Sequence, residues 1–137
     1  MICLDTNAVI AVLNARELRV RARLERALTV GTTVGIPTVV LYELWHGVRK
    51  SARPQANAAA LAAFLALDVS QWPFEPEDAE QAGDIRASLE RTGKMIGPYD
   101  VLVAAQARRR GAVLITANAR EFTRVPGLKI EDWVLKK

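Results

Sequence analysis

Short apolar runs alternate with longer helical ones along the chain, and acids or polar turns stand where several of the short runs stop. Residues 2–4 form one such run, ending at Asp5, and residues 33–36 form another, closed by Pro37. Residues 69–72, 113–116 and 128–130 complete the set. Between them lie stretches of helical character: 6–13, an arginine-rich 17–28, 38–50, 54–67 with an alanine-rich centre, 76–91 and 99–110. Alanine is the best helix former, Pro76 suits a first helical turn, and Thr6 is placed to cap the helix it opens. Residues 92–99 read as a loop, with Gly93, Gly97 and Pro98. Brief apolar strands joined through helices predict an α/β fold, a central parallel sheet flanked by helices on both faces. No repeat, low-complexity tract or linker divides residues 1–137, so a single domain is expected. Sheets of this kind collect ligands at the carboxyl ends of their strands.

A chain of 137 residues, 50% hydrophobic and 25% charged, can bury a real core. No apolar run reaches the roughly 18 residues that a membrane-spanning helix needs. The opening Met1-Ile2-Cys3-Leu4-Asp5 lacks the basic start of a signal peptide. One cysteine, Cys3, allows no internal disulfide and suits a reducing cytoplasm; with one histidine, His46, it also rules out a zinc-finger ligand set. A formal net charge of +4 points mildly toward a polyanionic partner.

The informative residues are acids in unexpected company. Asp5 follows the first strand directly; it either lines a site or caps the helix that follows. Glu43 sits in Thr38-Val-Val-Leu-Tyr-Glu-Leu-Trp-His-Gly. On a helix it shares a stripe with Val39, His46, Gly47 and Lys50. That stripe is either solvated or aimed into a cleft where Gly47 leaves room. Asp100, after Gly97-Pro98-Tyr99, lies in the first turn of an apolar helix, where the dipole favours a carboxylate in any case. Asn118 and Glu121 follow the strand at 113–116, in an ordinary polar turn or at the same pocket. Two carboxylates 4 Å apart repel by roughly 4 kcal/mol at an effective dielectric of 20. If Asp5, Glu43 and Asp100 converge, the cluster therefore needs a cation or raised pKa values. Oxygen-only ligands favour Mg²⁺ or Mn²⁺ over zinc, and such an ion is suited to phosphodiester hydrolysis.

Leu4-Asp5-Thr6-Asn7 after the opening strand resembles the start of PIN domains. The segment from Thr38 to Gly47 with Glu43 is similar to their second acidic motif, and Gly97-Pro98-Tyr99-Asp100 to the third. Thr116-Ala117-Asn118-Ala119-Arg120-Glu121-Phe122, followed by Val125, Gly127 and Glu131-Asp132-Trp133, resembles the ending of VapC toxins. The resemblance spans essentially the whole chain, in order. It implies a PIN-like three-layer sandwich and a Mg²⁺-dependent endoribonuclease, the toxin of a type II toxin–antitoxin pair. Asp5 and Asp100 would be the principal metal ligands, and Glu43 would hold metal or activate water. Many members carry a fourth acid near the position of Asn118; here Glu121 would substitute, which leaves the number of ions open. The Asn-then-Glu pattern resembles the branch that cuts initiator tRNA in the anticodon stem–loop. The implied partners are a VapB-type antitoxin, with a basic side chain near the acids, a tRNA substrate, and a second copy in a homodimer or a higher toxin–antitoxin assembly.

Two further features stay open on sequence. Arg108-Arg109-Arg110 reads as a solvated helix end or a phosphate-contacting patch. Arg16, Arg19, Arg21, Arg23 and Arg26 stripe an early helix and meet RNA or solvent. Trp45 and Trp72 read as core or partner contacts. An aspartyl-phosphate phosphatase would want an acid at Asn7, and neither a Walker loop nor a Gly-x-Gly-x-x-Gly run occurs. The remaining rival is a PIN-like module that binds RNA or protein without cutting.

Overall fold

The computed structural model describes residues 1–14 and 17–134. Arg16 of the arginine stripe lies outside the described residues. The elements run β1 (Ile2–Leu4), α1 (Thr6–Leu13), α2 (Leu18–Thr29), β2 (Val34–Pro37), α3 (Thr38–Lys50), α4 (Pro54–Leu65), β3 (Ser70–Trp72), α5 (Pro76–Thr92), α6 (Pro98–Arg110), β4 (Val113–Ile115), α7 (Ala119–Phe122) and β5 (Lys129–Glu131). The alternation read from the sequence is therefore real, with ends shifted by a residue or two. The single turn of α7 was read as a polar turn. Among the described residues no helix is long and apolar enough to cross a membrane.

The sheet is parallel throughout, in the order β3-β2-β1-β4-β5. The chain steps outward from β1 through β2 to β3, then returns to β4 on the other side of β1. Right-handed crossovers then put the helices between β1 and β3 on one face and α5 and α6 on the other. The packing agrees: α1 touches α2, α3 and α4, while α5 lies along α6. The strand order reverses between β1 and β4, which is where parallel sheets open a crevice for ligands. Leu4, Ile36 and Leu114 in the inner strands are fully buried, as a sheet covered on both faces requires. The edge strands β3 and β5 are largely exposed.

Trp72 is the buried end of β3, and its indole lies across Gly35 of β2. A Cβ at Gly35 would come within 1.9 Å of Trp72 Cε2 and Cζ2. Gly35→Ala should cost about 1–3 kcal/mol, the usual range for overpacking, read as a lower urea midpoint at unchanged slope. A loss under about 0.5 kcal/mol would mean that the indole yields without cost.

The arginines that end α6 turn out to be structural. Arg108 binds Gln81, Asp84 and the Pro126 carbonyl. Arg109 and Arg110 converge on Asp78 of α5, and Arg110 also lies 4.5 Å from the Trp72 ring centroid. Asp78 is fully buried and accepts from the Glu75 amide in a capping box, so one carboxylate starts α5 and locks it to α6. Gln106 fastens the same region to β3 through the carbonyls of Trp72 and Pro73. Neither the solvated nor the phosphate-binding reading of Arg108–Arg110 survives these contacts. In the early stripe, Arg21 binds the Val12 carbonyl, while Arg23 pairs with Glu131 and covers Trp133. Arg19 and Arg26 remain exposed.

Candidate active site

The register builds the floor of the site. Leu4 pairs with Ile115, and Ile115 with Glu131. One residue further on, Asp5, Thr116 and Asp132 therefore stand side by side at the carboxyl ends of β1, β4 and β5. The Asp5 amide donates to the Ile115 carbonyl and the Thr116 amide to that of Glu131, which extends the ladder into this row. Asp5 is buried and is the N-cap of α1, its Oδ1 accepting from the Ala8 amide at 2.8 Å. The cap is thus Asp5 and not Thr6. Both readings of Asp5 hold, since the carboxylate that starts the helix also faces the crevice. Burial pushes its carboxyl above the usual range. Hydrogen bonds from Thr116 and Ala8 oppose that rise, and the charges of Glu43 and Asp132 add to it.

Thr6, released from capping, donates to Glu43 Oε1 at 2.6 Å. That bond fixes a half-buried acid of α3 over the start of α1. Glu43 and Gly47 share the wall of a cavity of about 340 Å³, and a Cβ at Gly47 would meet open space. The room expected beside Glu43 is there. Asp100 occupies the first turn of α6, whose N-cap is Gly97. A Cβ at Gly97 would come within 3.1 Å of Asp100 Oδ2, so the glycine lets the carboxylate fold back over the helix start.

Asp100 feels three of the other acids. Its carboxyl is pushed up to about 6, first by burial and then by the charges of Asp5, Glu43 and Glu121. A carboxyl rises this way when like charges face it across a poorly hydrated gap. Asp5, Glu43, Asp100 and Glu121 therefore share one negative field, although they come from β1, α3, α6 and α7. Asn118 is the N-cap of α7; its amide donates to Thr116 Oγ1, and its side chain makes no capping bond. Asp132 joins the cluster as an acid that sequence reasoning did not place in the site. The strand-end rule that singled out Asp5 would have stopped one residue short, at Glu131, because β5 ends one residue later than the apolar run 128–130 suggests. Thr6 and Thr116 were also missed as positioning groups, and nothing in a lone threonine announces such a role.

Among the described residues no three Asp, Glu, His or Cys side chains are close enough, as they stand, to hold one ion. The donor chemistry nevertheless fits a hard divalent cation: carboxylate oxygens without thiolate or imidazole, and repulsion strong enough to raise Asp100. His46 is exposed on the outer side of α3, and Cys3 is buried inside β1.

Two tyrosines adjoin these acids in the chain. Tyr42 precedes Glu43 and Tyr99 precedes Asp100. Their rings meet edge to face with centroids 5.6 Å apart and an interplanar angle of 76°. Contact with the Tyr42 hydroxyl raises the Tyr99 phenol, and the Glu43 charge adds to this more weakly.

The PIN-domain family model matches residues 2–128. The chain is 40% identical to the tRNA(fMet)-specific endonuclease VapC of Shigella flexneri over 131 residues, 95% of this chain and 96% of that protein. It is 38% identical to the enzyme of the same name from Salmonella typhimurium, with the same coverage. The crystal structure of VapBC2 from Rickettsia felis, bound to a promoter DNA fragment, superposes with a TM-score of 0.90 at 34% identity, covering 97% of this chain and 99% of that one. An acidic crevice at the switch point of a parallel sheet, together with likeness over nearly the full length, leads to one conclusion: the chain belongs to the PIN-domain family, among its VapC ribonucleases.

Proposed function

We propose that this protein is the toxin of a toxin–antitoxin pair, an endoribonuclease that cuts initiator tRNA in its anticodon stem–loop. Asp5 and Asp100 would hold Mg²⁺, or Mn²⁺ in its place, with Glu43 and Glu121 beside it and Asn118 at the margin of the site. The observation that carries this reading is the raised carboxyl of Asp100, opposed by Asp5, Glu43 and Glu121. Carboxylates so arranged are at odds with one another until a cation joins them. When bound, such an ion polarises the scissile phosphodiester and lowers the pKa of a water. The chain's own residues supply the orientation. Thr116 and the Ala8 amide fix the Asp5 carboxylate. Thr6 occupies Glu43 Oε1, which leaves Oε2 to take the proton of the attacking water. Attack by water predicts a 5′-phosphate and a 3′-hydroxyl. A 2′,3′-cyclic phosphate would require attack by the ribose and would contradict it.

The antitoxin has a natural seat beside Glu43. The 340 Å³ cavity is lined by Ile10, Leu13, Leu44 and Leu61. A second cavity, of about 400 Å³, shares Leu13 and Ala60 with it and adds Leu24 and Phe64. An amphipathic segment lying there would bring a cation to the acids, in place of the ion.

The test is cleavage of an end-labelled tRNA pool by antitoxin-free protein with Mg²⁺, with EDTA, and with Asp5→Ala. Cuts confined to initiator tRNA that vanish with EDTA and in the variant are expected. Folded protein that binds RNA without ever cutting it would favour the binding-module reading instead.

A further inference from the structure

We propose that the Tyr42–Tyr99 pair is a stacking platform for an unpaired base of the RNA, next to the phosphodiester held over the acids. The inference rests on the nuclease reading above and names a substrate contact within it. Both rings lie in the open, Tyr42 56% and Tyr99 43% exposed, although large aromatics usually bury most of their surface. Each is the immediate chain neighbour of a site acid, Tyr42 of Glu43 and Tyr99 of Asp100, which sets the pair at the edge of the site. The edge-to-face arrangement leaves an aromatic face unstacked. Tyr99 also forms part of the wall of an open apolar hollow of about 480 Å³, with Arg86 on the same wall. There is thus room beside its ring for a flat heterocycle. A phenol suits this position, because its ring offers stacking area while its hydroxyl stays wet.

The chemistry around the pair favours nucleic acid. The outward side of α3 continues from Tyr42 to His46, Arg49 and Lys50, all exposed. Arg49 lies 5.9 Å from the centroid of the half-buried Trp45. A strand entering over the acids would meet aromatic rings first and cations next. That combination holds single-stranded RNA, bases on π-faces and phosphates on charges. Arg108, Arg109 and Arg110, by contrast, are all tied into ion pairs.

The experiment uses the full-length protein in EDTA, where nothing is cut, and a synthetic anticodon stem–loop of initiator tRNA with 2-aminopurine in its loop. Tyr99→Leu and Tyr42→Leu should each weaken binding roughly tenfold, the usual loss for one stacked base, and remove the fluorescence quenching that stacking produces. Tyr99→Phe and Tyr99→Trp should keep both. Leucine variants that bind and quench like the wild type would overturn the proposal. So would a loss of binding that follows a change of oligomeric state in sedimentation, since the rings would then belong to an interface with a second copy. Cleavage with Mg²⁺, run in parallel, separates this proposal from the one it rests on. Tyrosine-dependent binding without any cleavage by the wild type would sink the nuclease reading and leave the platform. Equal binding and cleavage by wild type and leucine variants would do the reverse.

Discussion

Asp100→Asn should cripple cleavage and at the same time make the metal-free protein more stable above pH 6. The two effects share a cause. Asp100 is raised to about 6 by burial and by Asp5, Glu43 and Glu121, so its ionised form is a cost to the fold. The native state takes up a proton at a higher pH than the unfolded chain does. The stabilisation that this proton brings is complete below the ordinary value of 3.8 and is lost as pH rises through about 6. Asparagine removes the charge with little change of shape. A gain of about 1–3 kcal/mol at pH 8 in EDTA is expected, together with a flatter stability profile between pH 4 and 7. Cleavage should fall on the order of 10³-fold, about 4 kcal/mol of barrier. A variant that cuts normally, or that is less stable than the wild type in EDTA at pH 8, would show that Asp100 does not face the other acids. Added Mg²⁺ should stabilise the wild type more than the variant, because only the wild type offers the full set of carboxylates.

Asp78→Ala should be the most damaging substitution away from the site, costing about 3–5 kcal/mol. Its carboxylate is fully buried and receives Arg109, Arg110 and the Glu75 amide. Removing it leaves two guanidinium groups facing each other at the seam between α5 and α6. Burial alone would raise the Asp78 carboxyl. The hydrogen bonds from Arg109 and Glu75, with the charges of both arginines, outweigh burial and hold it below its usual range. This is the opposite sign from Asp100. The stabilisation from Asp78 is present above pH 4 and is lost as pH falls through its depressed native value. Acid unfolding of the wild type should therefore be steep at low pH. In Asp78→Ala it should be shallower and start from a lower plateau. Unchanged thermal stability in the variant would mean that the arginines find other partners without cost.

How much of this could be read beforehand differs by residue. The strands at Ile2–Leu4 and Val113–Ile115 were legible because a parallel strand covered on both faces must be apolar along its length. The strand at Ser70-Gln71-Trp72 was also read, but on a thinner pattern, because an edge strand keeps polar residues in water. Asp5, Glu43 and Asp100 were visible as candidates through their positions and through the family motifs. Each also had an ordinary explanation of its own, which Asp5 keeps as the N-cap of α1; what joins the three is the repulsion felt at Asp100. The arginines of α6 illustrate the converse. Their charge was plain in the sequence, but their partners Asp78 and Asp84 lie on a different helix, and no spacing rule links them.

The alternation of strands and helices, the α/β class and the apolar helix start that carries Asp100 were all legible in the chain's local pattern. These depend on hydrophobic period and on local backbone preference, which act over a few residues. It took the folded arrangement to set Thr6 on Glu43 rather than at the cap, Asp132 in line with Asp5 and Thr116, and Tyr42 against Tyr99. Each of these depends on sheet register or helix docking, where residues far apart in the chain meet because the strands beneath them are paired. Local chemistry has no access to that information until the chain has folded.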